Sequence, residues 1–455
     1  MKKLIILILV SNFLTLSSVA TAQEKRLTLD ECMKYAIEHS SKVNTARLSL
    51  DSHKANYNES VASLFPSISG SIGGTTNFGR SIDPATNAYT NVTTFSNSYG
   101  VSASMTLFDG LRSINTIRAA KVARQMGIAE TELESDLVAI ETMSAYMDVV
   151  YYNEAVIIAR KQLETSRNIL LFTERQMELG IKSAADVADM ESQVANYDYL
   201  LTTEENNLAL AYIKLREAMN YPQKEELRIQ TDITTFDNPE TALTEDILRS
   251  ALLSNPRITI AKQTTEIKRL DYVKAKWAFT PSLNLYGGYN TNYFIDFDNK
   301  KAYASFGNQF RNNRGGYIQA SVSIPIFSGL NRISSKRRAR NAWKSAQFEQ
   351  SAVERAVESE VCEAWQKMRG AKKLYLQSEK KVDAAQIAYN GASKKYEHGK
   401  ISAIELQTTA NTLLQAKSEK LHAHLQYIIK RRMVDYYNGI PLIREQSTEY
   451  REQRK

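Results

Sequence analysis

The sequence predicts an α+β membrane protein with an internal two-fold repeat, in which four β-strands per chain alternate with very long helices. Three observations predict this fold: a strand pattern that runs directly into a long helix, a second copy of that pattern, and long helical segments without proline. The strands alternate small polar with apolar residues, as a strand with two different faces requires. Several copies of the chain must combine, because four strands cannot span a bilayer as an open sheet.

The repeat covers nearly the whole chain, and a repeat settles the organisation of a chain before any other feature. The strand pattern that ends in Phe108-Asp-Gly110 recurs later in the chain and ends there in Phe327-Ser-Gly329. A spacing of 219 residues relates Gly110, Ala123, Gly180, Ser183 and Pro222 to Gly329, Ala342, Gly399, Ser402 and Pro441. We therefore predict two repeats, residues 23–221 and 243–440, joined by a link at 222–242 and followed by a basic tail at 441–455.

The N-terminus has the pattern of a secretory signal peptide. Residues 1–22 contain Lys2 and Lys3, an apolar run from Leu4, and Ala20-Thr-Ala22 as a cleavage site, so we expect an exported protein that begins at Gln23. No later segment has about eighteen consecutive apolar residues, so no transmembrane helix is predicted. The net charge of +8 is spread along helices rich in Glu. Nucleic acid is excluded as a partner, because an exported chain without a basic reading motif does not bind it.

Four strands are predicted, at residues 67–78, 98–108, 282–294 and 317–327. Strands of about ten residues cross a bilayer when they are tilted. One face is small and polar with hardly a charge, which suits a water-filled lumen, and the other is apolar and suits lipid. The residues expected to face the lumen are Ser102, Ser104, Thr106, Ser321 and Ser323. Two copies would close a barrel that is filled by side chains, whereas three copies would leave room for a channel.

Two long rods are predicted after the strands. From residue 111 to 175 no proline occurs, and at ~1.5 Å per residue this helix would extend about 95 Å. Its apolar residues recur at steps of three, four and seven, as in packed antiparallel coiled-coil helices. The matching segment 330–395 is also free of proline but contains Gly370 and Gly391.

Both rods turn at matching places, near residues 180 and 399. Each turn has a glycine just after one helix and Ser-x-x-acid at the start of the next, which predicts a glycine stop followed by a capping box. The residues are Gly180, Ser183 and Asp186 in the first turn and Gly399, Ser402 and Glu405 in the second. If the turns of several chains converge, these carboxylates form a ring around an entrance.

Together these features resemble the TolC-like outer membrane efflux protein family. The resemblance rests on the signal, the order of strands and helices, Ser-Ile-Pro-Ile-Phe-Ser-Gly at 323–329 with its echo at 105–110, and the tip sequence at 396–406. It implies a homotrimer with a twelve-stranded outer-membrane β-barrel, continuous with a long periplasmic α-helical coiled-coil barrel. It also implies a passive channel-tunnel of an efflux or secretion system. The turns with Gly180, Ser183, Gly399 and Ser402 would then dock on a periplasmic adaptor (membrane fusion) protein that serves an inner-membrane transporter.

The resemblance further implies a gate at the tip. The family uses an aspartate in the first turn, a tyrosine three residues before the second glycine and an arginine two residues after it. Asp186 and Tyr396 match the first two, whereas Ile401 stands at the arginine position, beside Lys400. Of two inner acidic positions, Glu405 keeps its carboxylate and residue 408 is a threonine, which predicts weaker cation selectivity at the entrance.

The sequence gives no support for catalysis or for a cofactor. His422 and His424 are two residues apart and so lie on different helix faces, which does not suit a metal site. Neither a nucleophile elbow nor a phosphate-binding glycine loop occurs. We therefore expect a conduit rather than an enzyme. The alternative is an exported coiled-coil structural or adhesive surface protein with a soluble β head, but such a head would need charged residues on the outer face of its strands.

Overall fold

The computed structural model describes residues 26–82, 87–231, 244–300 and 303–443. It divides into two compact units, each built from segments of both repeats. Among the described residues, the helical unit consists of 26–47, 130–231, 244–258 and 354–443, and the sheet unit consists of 48–82, 87–129, 259–300 and 303–353. The predicted signal peptide, the link from residue 232 onward and the tail from residue 444 onward lie outside the described residues.

Helices make up most of the described chain, as the sequence predicts. The two longest, α3 and α8, have 67 residues each and stand where the rods were expected. The helices are α1 (Leu29–His39), α2 (Ser41–Ala62), α3 (Arg112–Glu178), α4 (Ala184–Met219), α5 (Thr244–Ser254), α6 (Pro256–Trp277), α7 (Phe306–Asn312), α8 (Asn331–Glu397) and α9 (Ala403–Tyr437). In the described ranges, none of these helices combines the length and the apolar character needed to cross a membrane.

The predicted four-stranded sheet is confirmed, and it lies in the sheet unit. Its strands have the order β1-β4-β5-β6 and are all antiparallel to their neighbours. A separate short pair, β2 with β3, lies between β1 and β4 in sequence. The strands are β1 (Ser67–Asn77), β2 (Arg80–Ile82), β3 (Tyr89–Asn91), β4 (Thr94–Phe108), β5 (Ser282–Asp296) and β6 (Gly315–Ser323).

The two-fold repeat is visible in the backbone. Gly110 and Gly329 have φ values of 71° and 58°, and the leucines that follow them, Leu111 and Leu330, both have a φ of 64°. Positive φ is ordinary for glycine and costly for leucine. The same strained junction therefore connects strand to helix in both repeats.

The repeat is also visible in an ion pair of the helical unit. Lys42 Nζ lies 3.1 Å from a carboxylate oxygen of Glu141, and Arg257 Nη1 lies 2.7 Å from one of Glu360. The two glutamates are 219 residues apart, as are Gly110 and Gly329. The two cations are 215 apart, a spacing that also relates Ala36 to Ala251 and Pro66 to Pro281 ahead of the strands. Both repeats thus place their short N-terminal helices on their long helices with the same contact.

The helical pattern of residues 29–64 predicts one helix, but the structure divides it into two. Ser40 has φ −66° and ψ 128°, so α1 ends at His39 and α2 starts at Ser41. The free carbonyl of His39 accepts a hydrogen bond from the Asn220 side chain at 2.9 Å. The second repeat breaks at the matching residue, Asn255, ahead of a proline. At both breaks the polar side chain accepts from the start of the next helix, Ser40 from the N–H of Val43 at 3.4 Å and Asn255 from that of Arg257 at 2.9 Å, which competes with helix continuation.

The hairpins differ in detail from the prediction. Strand β6 begins at Gly315 and ends at Ser323, four residues before the predicted end, because its partner β5 begins at Ser282 and Pro325 has no N–H for the ladder. Strand β4 begins at Thr94 instead of 98. The connection between β5 and β6 contains α7, and the connection between β1 and β4 contains the β2–β3 pair.

The core of the helical unit is formed where α1, α3, α4 and α9 pack together. Next to it, the backbone of Leu27 pairs with that of Ile229, which ties the start of the described chain to the beginning of the link. A half-buried acid also lies here: the Tyr436 hydroxyl donates to Asp136 at 3.0 Å. Burial raises the pKa of Asp136 to about 7, the Tyr436 hydrogen bond opposes this rise, and Glu132 adds to it.

Candidate functional site

The register of the sheet places the predicted lumen residues of β4 beside polar residues of β1. Ser104 pairs with Ser67, and Ser102 pairs with Ser69. The hydroxyl oxygens of these pairs lie 2.8 Å and 3.0 Å apart, so they are hydrogen-bonded across the strands. Directly paired residues point to the same face of a sheet, and so does every second residue along each strand.

The same face continues across β5 to β6. The Thr106 hydroxyl donates to the Asn284 side chain at 3.0 Å, and Asn284 pairs with Ser321. Ser323 is two residues further along β6 and pairs with Ser282. All five predicted lumen residues therefore lie on one face, which we name the polar sheet face. That this face lines a lumen remains a prediction.

The opposite face is apolar and carries α7 at the loop end of the strands. The rings of Phe310 and Tyr99 lie 5.3 Å apart, and those of Phe306 and Tyr293 lie 5.2 Å apart. Gln309 accepts from the backbone N–H of Phe294 and donates to its carbonyl, at 3.0 and 2.9 Å. Where β5 extends beyond β6, the Gln309 amide thus satisfies backbone groups that a neighbouring strand would otherwise pair. The aromatic pairs hold α7 on the sheet.

The helical unit contains both predicted turns, which we name the tip. Gly180 and Gly399 have φ values of 73° and 69°, and a side chain added at either would meet nothing within 4 Å. Their backbone conformation, and not a lack of space, is therefore the reason for glycine. The backbone N–H groups of Ile181 and Lys400 donate to carbonyls of the helices that end there, at 2.9 and 2.8 Å.

The two acids of the tip differ in how they are held. Asp186 forms the predicted capping box: its carboxylate accepts from the N–H and the hydroxyl of Ser183, at 2.9 and 2.7 Å. These bonds hold the pKa of Asp186 below its usual value, and nearby Lys182 lowers it further. In the second turn, Ser402 accepts from the N–H of Glu405 at 3.2 Å. The box predicted there is incomplete, because α9 has the serine cap without the returning carboxylate bond that α4 shows.

Tyr396 is the most deeply enclosed predicted gate residue. Its side chain is 1% exposed, and its hydroxyl lies 2.8 Å from that of Thr173 on α3. Burial raises the pKa of Tyr396, the Thr173 hydrogen bond lowers it, and the nearby Asp186 carboxylate raises it again. Among the described contacts, Asp186 and Tyr396 share no hydrogen bond. The Asp186 carboxylate therefore acts on Tyr396 through its charge, while each side chain forms its hydrogen bonds with another residue.

A ladder of polar side chains follows the tip. Gln193 is 5% exposed and bonds to Gln407, and it lies 3.5 Å from Asn411. The Tyr197 hydroxyl donates to Asn411 at 2.8 Å. These contacts join α4 of the first repeat to α9 of the second. Buried polar groups that satisfy one another fix the register of the helices they join.

In the described ranges, no three His, Cys, Asp or Glu side chains gather as a metal ion would require.

Comparison with known proteins decides the family. The model of the outer membrane efflux protein family matches residues 33–221 and 247–435, one match in each repeat. The chain belongs to the outer membrane efflux protein family. It is an outer membrane efflux channel, located in the outer membrane and extending into the periplasm. The family assignment does not favour the structural or adhesive alternative.

Curated relatives of this efflux protein match most of its length. Outer membrane protein TolC of Vibrio cholerae is 23% identical over 338 residues, which are 73% of this chain and 74% of that protein. Outer membrane efflux protein BepC of Brucella suis is 20% identical over 404 residues, covering 88% of this chain and 83% of that protein.

Solved structures confirm the fold. The outer membrane protein VceC of Vibrio cholerae has a TM-score of 0.76 at 14% identity, covering 90% of this chain and 96% of that one. The Campylobacter jejuni CmeC outer membrane channel has a TM-score of 0.73 at 16% identity, covering 93% and 88%.

In this efflux protein the cation beside Tyr396 was missed by sequence reasoning, which looked for it at residue 401. Ile401 packs with the apolar cluster around Tyr396 instead. The ammonium of Lys182 lies 4.2 Å from the centre of the Tyr396 ring. Lys182 and Ile401 are 219 residues apart and so occupy equivalent positions of the two turns. The repeat spacing marks Lys182 as the equivalent of Ile401, but only the packing of the two repeats shows that Lys182 lies beside Tyr396.

Proposed function

We propose that the chain works as a passive conduit in a homotrimer, which receives its substrates from a periplasmic adaptor protein and an inner-membrane transporter. The proposal of a trimer rests on the two open edges of the sheet. In the described chain, β1 and β6 are each paired on one side only, over 11 and 9 residues. Their outer sides have backbone groups that lipid cannot satisfy.

Pairing β1 of one copy with β6 of the next would remove both edges. The apolar residues of these strands support this arrangement, because Ile72 and Ile318 are 78% and 87% exposed in the single chain. Three copies of a four-stranded sheet close a twelve-stranded barrel, which is wide enough for a channel. The polar sheet face would then line its water-filled interior, and the apolar face would meet lipid.

The tip supports a role as a gate. Lys182, Asp186 and Tyr396 bring a cation, a carboxylate and a buried phenol together where the two turns meet. Glu405 is exposed and its carboxylate is not used by the helix cap, so it is the acid available to a permeating cation. The exposed turns with Gly180, Ser183, Gly399 and Ser402 would be the contact with the adaptor.

The test combines the mass of the purified protein in detergent with its conductance in a planar bilayer. We expect a complex of three chains that conducts in discrete steps without an energy source. A monomer that stays soluble without detergent would refute both the shared barrel and the conduit. A trimer without conductance would retain the barrel and refute the conduit.

A further inference from the structure

The long helices begin with a strongly basic segment in both repeats. From Arg112 to Ala129 and from Asn331 to Phe348 the sequence has no Asp or Glu. The cations in these two segments are Arg112, Arg118, Lys121, Arg124, Arg332, Lys336, Arg337, Arg338, Arg340 and Lys344. In the part of the chain that the structure describes, none of them pairs with a carboxylate.

In the helical unit, some cations of the long helices pair with carboxylates of neighbouring helices. Arg160 with Glu205, and Lys381 with Glu419, are bonded between neighbouring helices of the helical unit at 2.9 and 2.6 Å. Among the described ion pairs, the ten cations of the two helix starts have no such carboxylate partner, so each segment has an excess of positive charge that would attract an anionic surface. They follow directly on strands β4 and β6 in sequence, where the proposed barrel ends.

At the start of each basic segment, and including the leucine just before it, one exposed line of side chains is equivalent in both repeats. We name it the interface stripe. It consists of Leu111, Ile114, Arg118 and Lys121 in the first repeat and of Leu330, Ile333, Arg337 and Arg340 in the second. The steps of three, four and three place each set on one helix face. All four cations are exposed, and Leu330 and Ile333 are 61% and 58% exposed.

The backbone indicates that the leucines at the start of the stripe are needed. Leu111 and Leu330 both adopt a φ of 64°, a conformation in which a glycine would be unstrained. Both nevertheless present an exposed apolar side chain. Strain retained at equivalent residues of two repeats points to a function of these side chains.

The order of chemistry along the stripe is that of a membrane interface. Its two apolar side chains stand nearest the strands and its two cations follow one to two turns later. Arginine and lysine at such a boundary reach the phosphate layer of the lipid, while apolar neighbours meet acyl chains. Clusters of cations beside a spanning segment bind anionic lipid.

We propose that the interface stripe binds phospholipid of the inner leaflet of the outer membrane, with Arg118, Lys121, Arg337 and Arg340 on the phosphates of anionic headgroups. The inference rests on the proposed function in one respect, the placement of the strands in the membrane. Phospholipid is the occupant that fits both halves of the stripe, since a soluble anion would leave the apolar half exposed.

The test uses the full-length mature oligomer in a non-ionic detergent. It is titrated with dihexanoyl phosphatidylglycerol, with the zwitterionic dihexanoyl phosphatidylcholine, and with inorganic phosphate. Bound lipid is counted by native mass spectrometry. We expect the phosphatidylglycerol to bind at lower concentration than the other two.

The charge variant replaces Arg118, Lys121, Arg337 and Arg340 by Gln. At about fivefold per cation, its half-saturating concentration of phosphatidylglycerol should rise by a factor of ~100 or more. The matched control replaces the exposed α8 cations Lys372, Lys373, Lys380 and Lys394 by Gln, removes the same charge, and should change this concentration less than twofold. If the fourfold variant does not assemble, Arg118→Gln with Lys121→Gln alone should give a rise of more than tenfold.

Three results would overturn the proposal: equal binding of the two lipids by the wild type, an equal loss in the control variant, or displacement of phosphatidylglycerol by inorganic phosphate at a similar concentration. Conductance in a pure phosphatidylcholine bilayer separates this failure from failure of the conduit. If the wild type and the charge variant both conduct in that bilayer, the proposed conduit is supported whatever the lipid-binding result is.

Discussion

The closed tip should depend on Lys182, and the replacement Lys182→Met tests this. Methionine keeps the length of the side chain and removes the charge over the Tyr396 ring, 4.2 Å away. Because Lys182 is half-buried and Tyr396 is 1% exposed, the contact is worth about 1 kcal/mol. If three tips open together, the loss is ~3 kcal/mol per trimer, and the ratio of open to closed tips rises about 150-fold.

The assay is the fraction of time that a single trimer spends at its larger conductance in a planar bilayer. Lys182→Arg keeps the cation over the ring and should behave like the wild type. Lys400→Met is the matched control, since it removes an exposed cation from the other turn. We expect it to leave the open fraction within twofold.

A double-mutant cycle isolates the contact. In a Tyr396→Leu background the ring is absent, so Lys182→Met should have no further effect. Tyr396→Phe keeps the ring and loses the bond to Thr173, so the effect of Lys182→Met should persist there. An unchanged open fraction in Lys182→Met, or equal effects of Lys182→Met and Lys400→Met, would refute the role of this contact.

Three further predictions concern other parts of the chain. Val101→Arg should destabilise the oligomer by about 2–4 kcal/mol, whereas Ser102→Arg on the polar sheet face should assemble and shift ion selectivity towards anions, as thermal dissociation and reversal potentials would show. Glu405→Gln should weaken block of the channel by a trivalent cation, and full block in this variant would show that Glu405 does not face the pore. Asp186→Asn should weaken this block less, because the helix cap already uses the Asp186 carboxylate. The pKa of Asp136 is raised to about 7 in the folded state, so its ionisation destabilises the fold as the pH rises from ~4 to 7. At pH 8, Asp136→Asn should therefore raise the melting temperature and increase the free energy of unfolding by at most ~4 kcal/mol, with no such gain at pH 4. A gain at both pH values would contradict the raised pKa.

Most of the fold could be predicted because its signals are local. Polar and apolar residues that alternate with a period of two predict the strands, and long segments without proline predict the rods. Glycine followed by Ser-x-x-acid predicts the turns. The helix α7 could not be predicted, since the contacts that hold it are made with distant residues. Gln309 bonds to the backbone of Phe294, and Phe310 packs on Tyr99 from another strand. Seven residues in a polar loop carry no periodicity that would reveal such contacts.

The candidate site was predictable where it follows from helix ends and strand faces. Ser183 with Asp186 and the polar residues of β4 stand where the sequence places them, in a capping box and on one sheet face. The environment of Tyr396 was not predictable in the same way. Its partners Thr173 and Lys182 come from the other repeat, so their proximity depends on how the two helix pairs pack.

The two repeats provide an internal comparison that separates demands common to both halves from demands on one half. Both repeats need the same strand-to-helix junction, so Leu111 and Leu330 share a strained φ. Both need the same turn, so Ser183 and Ser402 both cap a helix. Positions where the repeats differ are under no such common demand. At the tip, Lys182 stands against Ile401, which is the difference that brings a cation to one buried phenol. We predict that this asymmetric contact holds the tip closed, so Lys182→Ile combined with Ile401→Lys should change the open fraction of the channel.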